Sequence, residues 1–179
     1  MKPRGPLMKE HRLIEQMIEI IKQKIGEIKK SNTIDPVFID TAVDFIRIYA
    51  DQTHHGKEED ILFRRCAKKS MSQEDTRIMH ELIEEHKMGR KTVGELESAK
   101  HEYLNGKKTN DTIVEKLTAL TEFYPQHIKK EDRVFFPHSE TYFNEKELND
   151  MLDEFWEFDK RMIHDKYKLV ISSLKNKIN

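Results

Sequence analysis

Histidine and glutamate at helical spacing are the residues of this chain that could do chemistry. Nine histidines occur in 179 residues. His55 with Glu59, and His127 with Glu131, repeat the unit His-x-x-x-Glu, and His54 with Glu58 has the same spacing. A separation of four puts both side chains on one face of a helix. Imidazole and carboxylate brought together in a core are ligands for a metal ion. A buried glutamate without a partner is costly or is forced neutral, and a cation removes that cost. With no thiolate in the set, iron or manganese fits, and zinc is also accommodated.

The elements that must position these groups are helices. Six Gly and five Pro, against 36% charged residues, favour long helices with solvated faces over short strands. Lys and Arg total 32 against 33 Asp and Glu, a net charge of −1, which gives no electrostatic reason to expect nucleic acid or an anionic membrane as partner. The single Cys66 excludes an internal disulfide and any multi-cysteine metal site. No apolar run reaches the roughly 18 residues of a membrane span, and the N-terminal residues lack the apolar core of a signal peptide. The expectation is a soluble, cytoplasmic, all-α protein.

Breakers and caps divide the chain into five helices. The first covers 7–30, with Pro6 at its start and Ser31, Asn32 and Thr33 at its end. Asp35 caps a second that begins at Pro36 and runs to about 69. Ser72 and Asp75 form a capping box for a third, to about 103. Asn110 caps a fourth that ends near 136, and Asn144 with Glu147 opens a fifth over 145–176. Four helices with short connections fit an up-down-up-down antiparallel bundle, over 5–137, followed by a C-terminal helical extension over 138–179.

An antiparallel bundle buries positions alternately three and four apart. On the first helix these are Leu7, His11, Ile14, Ile18, Ile21, Ile25 and Ile28. On the second, the seam reads Phe38, Thr41, Phe45, Ile48, Gln52, His55, Glu59, Leu62 and Cys66. The third gives Met79, Leu82, His86, Gly89, Val93 and Leu96; the fourth gives Ile113, Leu117, Leu120, Tyr124, His127, Glu131 and Val134. Each seam places one histidine in a slot made for an aliphatic side chain. His11 lies 19 residues before the end of its helix and His55 lies 19 after the start of the next. The corresponding distances are 14 and 13 for His55 and His86, and 17 and 17 for His86 and His127. At 1.5 Å rise per residue the four histidines share one layer, with Glu59 and Glu131 beside it.

Glu10-His11-Arg12, the run from His54 to Phe63, the run from Glu85 to Arg90, and the run from His127 to Asp132 resemble the signatures of the hemerythrin-like, HHE cation-binding family. The resemblance spans about 5–137 and implies a four-helix bundle around a non-haem di-iron centre: two Fe ions with an oxo, hydroxo or water bridge. The ligands it implies are His11, His55, Glu59, His86, His127 and Glu131. His54 with Glu58 is an alternative pair, rotated by roughly 100° from the seam. Asp132 competes with Glu131, because oxygen-carrying members use an aspartate five residues after the histidine. Those members also present two histidines from the third helix; here Leu82 and Arg90 flank His86 at that spacing. Four histidines would remain, which weighs against reversible oxygen carriage.

Three classes of function follow. The first is a module that binds or senses O2 or NO. The second is an enzyme that reduces O2 or peroxide, or a factor that donates iron to damaged iron–sulfur clusters. The third is a bundle stapled by zinc. Known repair members carry an extra cysteine-bearing N-terminal segment, whereas here the bundle begins at residue 7 and Cys66 reads as a buried small hydrophobe. Gln52 and Tyr124 each precede a seam histidine by three and are placed to hydrogen-bond a ligand. Pro125 is expected to disturb the fourth helix just before His127. His101, His138 and His164 read as surface residues. On the fifth helix Leu148, Leu152, Phe155, Met162, Ile163, Tyr167, Val170 and Leu174 form an apolar face, with Trp156 and Phe158 alongside. That face must be covered by this bundle or by a second copy in a homodimer.

Overall fold

Local capping chemistry sets several helix ends in the computed structural model, which describes residues 2–178, with the side chains of 163–165 and 167–178 outside the description. Helix α1 (Arg4–Ser31) stops at Asn32, whose left-handed backbone (φ 53°) closes the last turn. Asp35 accepts hydrogen bonds from the amides of Val37 and Phe38 and starts α2, a continuous helical stretch over 36–66. Ser72 accepts from the Asp75 amide at 3.0 Å to start α3 (Gln73–Leu104). Helix α4 occupies 110–139. The expected cap at Asn110 is displaced: Thr109 holds the capping position without a side-chain bond, and Asn110 instead donates to the Asn32 carbonyl at 2.8 Å, tying two loops together. Asn144 and Glu147 exchange reciprocal bonds of 2.9 Å at the start of α5 (Glu145–Ile178).

The described residues are all-helical, without strands, and form a helical bundle plus a C-terminal helix. Helix α1 packs on α2 and α4, and α3 closes the ring between α2 and α4. None of the described helices is long and apolar enough to cross a membrane. All seven seam positions of α1 are buried, as are all six of α3.

Helix α2 departs from a regular seam. Phe45–His55 and Glu58–Phe63 are π-helical, joined by Gly56 and Lys57, and in α4 Glu131–Phe135 is π-helical too. A wider i→i+5 turn accommodates an extra residue and carries the inward face along the helix. The first half of α2 therefore buries Ile39, Ala42, Val43, Ile46 and Ala50, while Thr41 and Gln52 are exposed and Phe38, Phe45 and Ile48 lie at the margin. The second half buries Ile61, Leu62 and Cys66. In α4 the helix runs on through Pro125, and the regular period breaks at Glu131, so that Phe135 is buried in place of Val134.

Two apolar clusters fill the interior. One gathers Ile14–Ile28 of α1 with Ile39–Ala50, Val93–Ala99 and Ile113–Ile128; the other gathers Leu7, Ile61–Cys66, Ile78–Leu82, Phe135 and Phe136. Met151, Phe155 and Phe158 of α5 belong to the second cluster, so the described part of α5 packs on this bundle. Trp156 is exposed; the side chains of Ile163, His164, Tyr167, Val170 and Leu174 lie outside the described residues. His11, His54, His55, His86, His127, Glu58 and Glu131 lie between the two clusters.

The shifted register of α2 makes a direct prediction. Ile39→Ala should cost about 2–5 kcal/mol in urea unfolding, because Ile39 is fully buried. Val37→Ala, at a position 74% exposed, should stay within about 0.5 kcal/mol.

Candidate metal centre

The first π-helical stretch ends at two adjacent histidines that both face inward. His54 continues the register of Ile39, Ile46 and Ala50, whereas His55 begins the register of Leu62 and Cys66. Glu58, four after His54, follows it into the core. Two groups of donors result. His11, His54, Glu58 and Glu131 form one; His55, Glu58, His86 and His127 form the other. Within each group one ligand atom per residue lies within 4.8 Å of every other, and all seven residues are buried.

Both carboxylates face both groups. Glu58 Oε1 lies 3.4 Å from His54 Nε2, and Oε2 lies 3.4 Å from His86 Nε2. Glu131 Oε2 lies 3.2 Å from His11 Nε2, and Oε1 lies 3.3 Å from His127 Nε2 and 3.8 Å from His86 Nε2. The Nε2 atoms of His11 and His54 are 2.8 Å apart. Two atoms bound at right angles to one ion, each at roughly 2.1 Å, stand about 3 Å apart, so the observed separations suit a shared cation. Both oxygens of Glu58, both of Glu131, and Nε2 of His86 and His127 have no hydrogen-bond partner. Buried polar atoms are rarely left so, and six orphaned ligand atoms pointing at one place fit a pair of cations.

The outer nitrogen of every ring is engaged. Nδ1 of His11 bonds Asp132 at 2.7 Å, that of His54 bonds Glu10 at 2.8 Å, and that of His55 lies 3.4 Å from Asp51. His86 bonds Glu59 at 2.7 Å and His127 bonds Glu85 at 2.7 Å. Such partners fix the tautomer, turn the free Nε2 inward and raise its basicity. Each carboxylate is in turn paired with a cation: Asp132 with Arg12, Glu10 with Lys57, Asp51 and Glu59 with Arg90, and Glu85 with Lys130. Ring faces are held by stacking, His86 on Phe63 at 5.9 Å and His11 on Phe136 at 5.6 Å.

Without a cation the groups divide the available protons. Burial, reinforced by Glu131, pushes Glu58 well above the ordinary carboxylate range. Glu131 is buried as well, but His127, His11 and His86 hold it well below that range. Burial opposes a charge on His11, yet its bond to Asp132 and the nearby Glu131 carboxylate overcome this and raise it to about 9. His54 is lowered to about 4 by burial and by charged His11. Charged His11 then donates from Nε2 to neutral His54.

Five of the six residues expected to act together do meet: His11, His55, His86, His127 and Glu131. Glu59 does not. It is half-buried at the edge of α2, accepts from His86 Nδ1, and pairs with Arg90, while Glu58 takes the central place. The expected seam ran a constant period through α2, and the widened turns advance the inward face by one residue. For the same reason His54 is a full member of the constellation. The histidines number five rather than four, since α2 supplies the one that α3 lacks, and the donor count no longer weighs against reversible oxygen binding. Asp132 supports His11 from outside. Tyr124 is buried with its ring 6.4 Å from that of His55, and Gln52 is exposed. His80, His101 and His138 are exposed. Glu10 and Glu85 stand in the quoted motifs without an assigned role, which follows once the partner helices are in place, and Asp51 lies four residues before His55 on the same helix.

A helical bundle with imidazoles and two shared carboxylates buried at its centre defines a class of metal-binding protein. The family model of the hemerythrin HHE cation binding domain matches residues 4–139, and the chain belongs to that family. No curated protein and no solved structure matches the chain.

Glu58 and Glu59 can be told apart by metal content. Glu58→Ala, which removes a donor common to both groups, should leave the purified protein with at most one cation by elemental analysis. Glu59→Ala should keep two and weaken binding about 10–100-fold. A second expectation concerns pH. Cations must displace the proton held on His11, so loading should release protons at neutral pH, and affinity should rise with pH and flatten near 9. Calorimetric titration in buffers of different ionisation enthalpy measures the protons released.

Proposed function

We propose that this protein holds two iron ions, one in each donor group, and binds or senses a small ligand such as O2 or NO in the cytoplasm. The observation that carries the reading is a cavity of about 160 Å³ between α2 and α3, against the second group. Ile46, Gln52, His55, His86, Val93 and Tyr124 are among its lining residues. A space of that size takes a few waters or a diatomic molecule and is too small for most metabolites. Iron bound there would supply redox chemistry and a coordination position open to the ligand; manganese and zinc share the preference for these donors. Ile46 and Val93 give the cavity an apolar wall, Arg47, Asp51, Gln52 and Arg90 a polar one, and His55 and His86 line it as well. Tyr124, a neutral phenol because burial pushes its pKa far up, makes no hydrogen bond through its hydroxyl among the described residues. It is free to donate to whatever enters.

That same hydroxyl favours one alternative, an enzyme that reduces O2 or peroxide, because it could hand a hydrogen bond or a proton to a reacting oxygen. Peroxide turnover lost in Tyr124→Phe would select it. Iron donation to damaged clusters gains nothing from Cys66, a buried thiol pushed up to about 12 by burial and Asp75. A purely structural zinc site would have no use for the cavity.

Val93→Phe, which fills the cavity, should slow NO binding at least about tenfold, a barrier of some ~1.4 kcal/mol, with iron content unchanged. Stopped-flow absorption after mixing anaerobic iron-loaded protein with NO reads the rate. Equal rates would remove the cavity from the proposal.

A further inference from the structure

Helix α5 lies outside the matched stretch of 4–139, yet it reaches the metal centre through charge. Lys57 is fully buried on α2, between His54 and Glu58. Its ammonium pairs with Glu10 of α1 and, at 2.7 Å, with Asp159 of α5. The other oxygen of Glu10 accepts from His54 Nδ1 at 2.8 Å. Asp159, Lys57, Glu10 and His54 thus form one unbroken chain from the outer helix to the first donor group. Phe158 closes over the same place: a Cβ on Gly56 would stand 2.7 Å from its Cζ. Gly56 and Lys57 are the joint between the two π-helical stretches that turn His54, His55 and Glu58 inward.

A buried ammonium draws on every carboxylate it can reach. With Glu10 alone, Lys57 would take most of that carboxylate's charge, and His54 would lose a strong acceptor. Asp159 supplies a second carboxylate, so Glu10 remains a good acceptor for Nδ1–H and the basicity of His54 Nε2 is kept high. We propose that Asp159 is a positioning residue of the metal centre. By sharing Lys57 it holds Glu10 on His54, and through it sets how tightly the first donor group keeps its cation. This rests on the reading of the centre as a two-cation site.

The test is a Co(II) titration of the full chain, followed by visible absorption. Wild type should take two equivalents. In D159N one equivalent should bind at least about tenfold more weakly with an altered absorption band, the other should be unchanged, and D159E should restore the first. E10Q should weaken the same equivalent, and D159N should add nothing on top of E10Q. Asp159 is one-third exposed and Asn has its shape, so a metal-free melting curve close to wild type is expected and separates this effect from lost packing. Two equivalents in wild type with identical titrations for D159N would overturn the role of Asp159 alone, as would independent, multiplying effects of D159N and E10Q. A wild-type chain that takes fewer than two equivalents would instead overturn the two-cation reading itself.

Discussion

Glu58 and Glu131 sit fully buried at the centre of the bundle with no hydrogen-bond donor for any of their four oxygens, and the rest of the molecule is arranged around that fact. Two ionised carboxylates in a core repel each other and forfeit their hydration, a cost that neither packing nor isolated imidazoles repay. The cation-free chain answers by splitting the pair, with Glu58 driven towards the neutral form and Glu131 kept ionised among histidines. That is a compromise, since six ligand atoms stay orphaned. Positive charge placed between the carboxylates answers it more fully. The apolar clusters on either side make the answer specific, because they exclude the water that would otherwise solvate the oxygens.

The same constraint orders the charged residues nearest the centre. From the centre outward the groups alternate: shared carboxylate, imidazole, supporting carboxylate, arginine or lysine. Each layer satisfies the one inside it, so polarity runs from core to surface with few dead ends. Arg90 serves two supporting carboxylates, Asp51 and Glu59, and ties α3 to α2 at the edge of the cavity. Removing a layer would loosen the rings inside it as well as a surface ion pair, which separates these pairs from exposed ones such as Lys160 with Glu157.

Most of this was legible in the sequence. The seams of α1 and α3, an apolar stripe interrupted by one histidine each, needed only a regular helical period. So did the agreement of four histidines on one layer, which follows from rise per residue and loop position. Helix α2 was misread because a constant period was carried across two widened turns. A signal was available: Ile39, Val43, Ile46 and Ala50 make a stripe with no polar member, and steps of four from Ala50 lead to His54 and Glu58. The stripe through Thr41 and Gln52 has polar members and leads to Glu59. Glu10 and Glu85 were out of reach because each supports a histidine on another helix, and only the packing of helices pairs them; Asp51, four before His55 on the same helix, had the spacing that signals such a pair. Asn110 failed as a cap for a related reason, since a loop from the far end of α1 offered its amide a better partner.

The two donor groups are unequal, and the inequality divides their work. The first has two histidines, lies towards α1, and is braced through Glu10 and Lys57 by the outer helix. The second has three histidines and faces the cavity. A cation in the first would be held by a framework that reaches α5. A cation in the second has the shorter path to anything that enters between α2 and α3. Because Glu58 and Glu131 face both groups, a change at a cation in one would be felt at a cation in the other through the same four oxygens. A ligand arriving through the cavity would therefore be registered at His54 and Glu10, on the side of the centre where α5 rests. Physical coupling of that kind needs shared atoms rather than a conformational pathway, and the shared atoms are present.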